Sequence, residues 1–198
     1  MNTRKWIDPQ VAHQPQGDSP RFPTFHPQLS HPHPTAVNYD DPLAYFITWT
    51  VYGTHLQGDS DGWRRRSRGQ QNPQPRLQRW RAERLKHEIV LLSPADRTAV
   101  TESCHQHCRR RDWKLWEINV RSNHLHLVVT ATGYAGTTVR DQLKANATRA
   151  VREHAALFRD RPVWTSGGDW RCVNTDADLD AVCLYVREAQ DRKEFDVE

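Results

Sequence analysis

The chain has 198 residues, 36% of them hydrophobic, with 28 Lys and Arg against 24 Asp and Glu, a formal net charge of +4 and a pI near 9.0. That length admits one domain with extensions and a real hydrophobic core. No run approaches the roughly 18 apolar residues of a membrane span. Cys104, Cys108, Cys172 and Cys183 are too few and too scattered for a secreted disulfide scaffold. Residues 1–10 lack the apolar core of a signal peptide, so the expectation is a cytoplasmic protein with reduced thiols and no membrane partner.

Residues 1–40 hold seven of the twelve prolines and four of the eleven histidines, with three basic and three acidic residues and no periodicity. They read as a disordered Pro/His-rich arm ahead of a domain over 41–198. The segment 44–52 (AYFITWTVY) is dense in aromatic and β-branched residues and ends at Gly53, so it reads as a strand. Residues 54–92 form a basic insertion: a long loop to about 75, then a short helix over 75–89. Between Trp63 and His87 lie eight arginines and Lys86 against Glu83 alone. Arginine's planar fork suits phosphates and stacks on bases. Taken alone, such a run fits a solvated helix face equally well.

Ser93-Pro94-Ala95-Asp96 is a helix-start signature for a helix to about Arg111. Residues 114–120 alternate, with Trp116, Ile118 and Val120 against Leu115, Glu117 and Asn119. The turn-like Arg121-Ser122-Asn123 then links them to a second strand, which predicts an antiparallel hairpin. A long helix is expected over 137–158, with Val139, Leu143, Ala147, Ala150 and Val151 on one side. A loop containing Gly167-Gly168 follows, then a short strand over 171–173. The last helix is expected over 176–190, its first-turn acids favoured by the dipole. The order predicts an α+β fold: a ferredoxin-like split βαβ sandwich with an antiparallel sheet, helices on one face, and a further C-terminal helix.

Three His-x-His pairs occur, His31/His33, His105/His107 and His124/His126. The first lies in the proline-rich arm and the second in a helical segment, where residues two apart diverge. In Asn123-His124-Leu125-His126-Leu127-Val128-Val129, strand alternation sends both imidazoles to one surface and Leu125, Leu127 and Val129 into a core. That is half of a metal site on a rigid floor. Cys104-His105-Gln106-His107-Cys108 resembles a zinc cluster in composition only, because structural zinc takes four ligands from separated pairs.

Several stretches together carry a resemblance. They are residues 46–54 (FITWTVYGT) with Gly58-Asp59 and Gly62-Trp63; residues 119–129 (NVRSNHLHLVV); Leu143-Lys144-Ala145 with Ala147-Thr148-Arg149; Val163-Trp164-Thr165 with Gly167-Gly168; and Tyr185-Val186 near Glu188 and Gln190. Over about 44–192 the chain resembles the REP-associated tyrosine transposases, of the HUH single-strand DNA transposase superfamily. The resemblance implies a bacterial, nucleoid-associated enzyme that cleaves and rejoins single-stranded or hairpin DNA. His124 and His126 would hold a divalent metal, Mg or Mn, and Tyr185, 59 residues after His126, would be the nucleophile.

A third metal ligand is expected from the tyrosine helix, where either Glu188 or Gln190 qualifies. The chain departs from this branch in having Ala189-Gln190 where many members carry Asn-Pro. Arg64, Arg65, Arg66, Arg68 and Lys144 are the expected DNA contacts. A homodimer is allowed, and would decide whether the tyrosine serves its own subunit's histidines. The competing reading is a module of the same fold that binds single-stranded nucleic acid without cutting it, through aromatics such as Trp63 or Trp80.

Overall fold

The computed structural model describes residues 41–60, 62–65 and 69–189. The expected arm, Arg66, Arg68 and Gln190 lie outside them. Four strands form one antiparallel sheet, each pairing set by alternation of apolar side chains. They are β1 (Ala44–Thr50), β4 (Lys114–Val120), β5 (His124–Thr130) and β6 (Asp169–Val173), in the order β4-β5-β1-β6. With α2 (Pro94–Arg111) joining β1 to β4 and α3 (Gly136–His154) joining β5 to β6, this is the split βαβ arrangement the element order predicted.

Alternate strand residues supply two separate cores. Tyr45, Ile47 and Trp49 of β1 and Leu125, Leu127 and Val129 of β5 bury against Val100 of α2 and Val139, Leu143, Ala147 and Val151 of α3. The opposite face buries a smaller set, Ala44, Val128 and Val173, against Leu179, Val182 and Val186 at the C-terminal end of the chain. That end is α4 (Asp176–Leu184) followed by a π-helical turn, Tyr185–Ala189. Ser93 and Asp96 cap α2 reciprocally, the serine accepting from the Asp96 amide and the carboxylate from the Ser93 amide. Thr175 caps α4 by accepting from the Asp178 amide.

Three departures from the sequence reading have physical causes. A bulge between Leu115 and Glu117 shifts the β4 register, so Leu115 joins Ile118 in packing on the helical side. Trp116 turns to the other face, where its indole N–H donates to Thr130 Oγ1 at 2.9 Å. The insertion contains a short hairpin, β2 (Trp63–Arg65) with β3 (Gly69–Gln71), and its helix α1 is limited to Pro75–Ala82. That helix has no buried residue to extend it. The last helix ends as α-helix at Leu184 and widens at the tyrosine itself, instead of running on with α spacing.

Candidate active site on the open sheet face

The second sheet face carries a grid of cross-strand neighbours. Asn119 lies opposite His126, which lies opposite Thr48, which lies opposite Asp169. One row along, Glu117, Val128, Phe46 and Arg171 line up in the same way, and Thr50 pairs with His124. The period of two in β5 therefore puts both imidazoles outside the helical core. Their ring centroids are 5.0 Å apart with planes at 74°.

Local contacts orient these rings. His124 Nδ1 bonds Asn123 Oδ1 at 2.6 Å, and since an amide oxygen only accepts, Nδ1 carries the proton and the ring lone pair sits on Nε2. Asn123 is itself fixed, its carbonyl accepting from the Val51 amide at 2.7 Å and from Thr54 Oγ1 at 3.0 Å. His126 stacks parallel to and offset from Phe46, with centroids 5.4 Å apart and planes at 8°. Thr48 beside it donates to the Leu125 carbonyl.

Tyr185 comes to the same place within one chain. Its ring stands edge-on to His126 at 5.8 Å between centroids and edge-on to Phe46 at 6.0 Å. Burial pushes its phenol above the usual tyrosine range, partly opposed by the nearby Arg171 guanidinium. Val186 anchors the turn from below by complete burial. The widened turn also makes a side-chain contact to the sheet: Asn119 Nδ2 donates to the Val186 carbonyl at 3.0 Å. Arg187 adds an exposed ion pair, its guanidinium donating to Glu117 Oε1 with Nε at 3.0 Å. Asn119 and Glu117 share the tyrosine's face of β4, so the strand beside the histidines grips the turn at two successive residues.

The other expected site residues are placed less simply. Glu188 is exposed on the π turn. Among the described residues no group of three His, Cys, Asp or Glu side chains is gathered for a metal ion, so no third donor of those types joins His124 and His126. Arg64 and Arg65 lie in β2, paired with Gln70 and Gly69. Lys144 points into the protein, its ammonium donating to the Thr165 and Gly167 carbonyls at 2.5 Å each. Two of its three donors are used there, and burial with the Arg140 charge lowers its pKa to about 8. One turn earlier Arg140 donates to the Gly168 carbonyl, so α3 holds the whole glycine loop that leads into β6.

Phe46, Asn119, Asn123 and Arg171 are site residues to which the sequence attached no role. All four fall within the strands and turn already singled out, or next to them. The missing signal was register, which says who faces whom across the sheet.

The two imidazoles fit a divalent cation as half of its ligand set, since both rings stand on one face and the Asn123 bond leaves His124 Nε2 as the coordinating nitrogen. Such a site needs further ligands from water or substrate oxygen. Tyr185 and both imidazoles lie together on the open face of the sheet, while the glycine loop is held by α3.

The description that matches this chain is "Transposase IS200 like", over residues 83–189, just over half of its length. The chain belongs to the IS200-like transposase family. Two solved structures resemble it, each with a TM-score of 0.45. One is a REP-associated tyrosine transposase bound to a REP hairpin, 10% identical, with 78% of this chain and 70% of that chain covered. The other is a putative transposase from Deinococcus radiodurans, 12% identical, with 78% of this chain and 95% of that one covered. No curated protein matches the sequence. Among the described residues no helix is long and apolar enough to cross a membrane.

Proposed function

We propose that this transposase cleaves and rejoins single-stranded DNA, presented as a hairpin, through a covalent 5′-phosphotyrosine on Tyr185. The observation that carries the reading is the ring contact between Tyr185 and His126 within one chain, 5.8 Å between centroids. His124 and His126 would hold a divalent metal, Mg or Mn, with water, a phosphate oxygen and either Glu188 or Gln190 completing its shell. When bound, that cation would polarise a non-bridging oxygen of the scissile phosphate.

The chain's own residues supply the rest. Phe46 and His126 hold the phenol ring edge-on, and Asn119 fixes the turn that presents it. A free phenol has a pKa near ~10 and is a weak nucleophile at neutral pH, so it must lose its proton as it attacks. Its oxygen bonds to phosphorus while the bond to the 3′ oxygen breaks, and the leaving oxygen takes up a proton to become a 3′-hydroxyl. The phosphotyrosyl ester retains the bond energy, so attack by a 3′-hydroxyl rejoins the strand without a nucleotide cofactor. Arg64, Arg65, Arg66 and Arg68 on the basic insertion would meet the DNA backbone, with the remaining donor of Lys144 available at the glycine loop.

Incubation with a panel of hairpin oligonucleotides and manganese tests this on a denaturing gel. The expected result is a protein–DNA adduct that is absent in Tyr185→Phe. His124→Ala is expected to lose cleavage while keeping DNA binding, because backbone contacts dominate affinity. No adduct from the wild-type protein across the panel would favour a non-cutting binding module.

A further inference from the structure

The α1 helix is a stretch of structure with no contribution to either core. Its eight residues include none that is buried, and polar hydrogen bonds tie it to the preceding loop. Gln78 donates to Asp59 and Arg81 to Gln57, and the Gln74 amide donates to the Gly58 carbonyl. The approach is close enough to require glycine: at φ +96° a β-carbon on Gly58 would stand 2.5 Å from the Gln74 carbonyl oxygen and 2.6 Å from the Gln78 amide nitrogen. The helix is therefore held firmly without being covered.

What it displays outward is unusual for a stabilising element. Trp80 is 45% exposed. The Arg84 guanidinium carbon lies 4.0 Å from its ring centroid, and that of Arg81 lies 5.2 Å away. Arg76 and Arg79 precede it on the same helix, and no acid stands in its first turn. Among the described residues no carboxylate pairs with any of these four guanidiniums. Like charges three residues apart destabilise a helix, and an indole this exposed forgoes burial. Both costs are removed by a polyanion that also offers flat apolar faces.

The placement adds a third observation. The loop that carries α1 begins where β1 ends, and its Thr54 hydroxyl donates to the carbonyl of Asn123, the residue that orients His124. The loop that holds α1 is thus tied to the residue just before the candidate metal histidines.

We infer that Trp80 and the arginines around it form a stacking platform for the unpaired strand flanking a DNA hairpin, separate from the cleavage site. This rests on the proposed reading that the protein acts on hairpin DNA. A paired base has no free face, so a stacking indole selects single strand over stem. The guanidinium over the ring either yields to a base or stacks on it, and Arg76 and Arg79 neutralise the neighbouring phosphates.

Fluorescence anisotropy tests it with labelled hairpins that are either blunt or carry a single-stranded extension of about ten nucleotides, in the Tyr185→Phe background so that no chemistry intervenes. Trp80→Ala is expected to weaken binding of the extended hairpin roughly tenfold while leaving the blunt one within about twofold. Trp80→Phe keeps a stacking face and should recover most of the loss. Arg76→Gln with Arg79→Gln should lower the salt dependence for the extended hairpin by roughly 0.7 per lost phosphate contact. Equal affinities of Trp80→Ala and its parent for the extended hairpin would overturn the platform and leave the cleavage reading standing. Equal loss on both hairpins would also overturn it, as a general binding defect. Failure of the parent protein to bind either DNA would remove both.

Discussion

The two faces of the central sheet are built from alternate residues of the same strands, yet one is closed and the other is only partly covered. Against α2 and α3 the strands present Tyr45, Ile47, Trp49, Leu125, Leu127 and Val129, all but removed from solvent. Against α4 they present Ala44 and Val128 at one end, then Phe46, Thr48, His124 and His126 toward the other. Val186 is the last completely buried residue of the chain's described part. Beyond it lie the polar groups. The contrast separates a closed apolar face from a partly covered polar one, at a resolution of one residue along β5.

The largest expected effect comes from substituting residues on opposite faces of that strand. Leu127→Ala removes a fully buried side chain from the closed face and should cost about 2–5 kcal/mol in chemical denaturation. His124→Ala, three residues earlier on the open face, should cost less than about 1 kcal/mol. A large loss of stability in His124→Ala would mean that the open face is structural after all.

An intermediate effect is expected at the seam between sheet and tyrosine turn. Asn119→Ala deletes the donor to the Val186 carbonyl, for about 1 kcal/mol of stability. Its effect on adduct formation should be larger, about tenfold in rate with DNA affinity unchanged, because a small misplacement of a nucleophile is amplified in the barrier. Asn119→Asp removes the donor but keeps the shape, so it should behave like alanine; wild-type rates in both variants would show that Asn119 does not position the turn.

The smallest effect belongs to the closed face and is read through pH. His107 of α2 bonds Gln142 of α3 at 3.1 Å, and burial lowers its pKa below the usual value. The unfolded chain, with a value near ~6.5, then binds protons that the folded chain refuses. Stability from this group is complete above pH 6.5 and declines as pH falls below it. The melting temperature of His107→Gln should decline less over the same range; an identical decline in both would assign the loss to other groups.

Much of this architecture could be read from the sequence because its signals are local. The hairpin around His124 and His126, the capped start of α2 and the apolar stripe of α3 depend on alternation, capping and helical period; the hairpin and the start of α2 stand where expected, while α3 ends at His154, four residues before its expected end. The features that escaped depend on what is not local. The bulge that turns Trp116 around is a property of the β4–β5 pairing, invisible in either strand alone. The π turn at Tyr185 replaces the α spacing expected to continue through residue 190. Asn119 reads as an ordinary outward strand residue until β4 is set beside the C-terminal turn. Lys144 reads in the sequence only as a DNA contact, because helical periodicity says nothing of the loop carbonyls it bonds.

The central claim is that the tyrosine and the paired histidines of a single chain make one active site. Mixing two inactive proteins tests it most directly: Tyr185→Phe, which keeps the histidines, and the double variant His124→Ala with His126→Ala, which keeps the tyrosine. With hairpin DNA and manganese, a site assembled within one chain predicts that the mixture forms no more adduct than either variant alone. Recovery of adduct in the mixture would show the tyrosine of one copy working over the histidines of another, and would contradict the arrangement described.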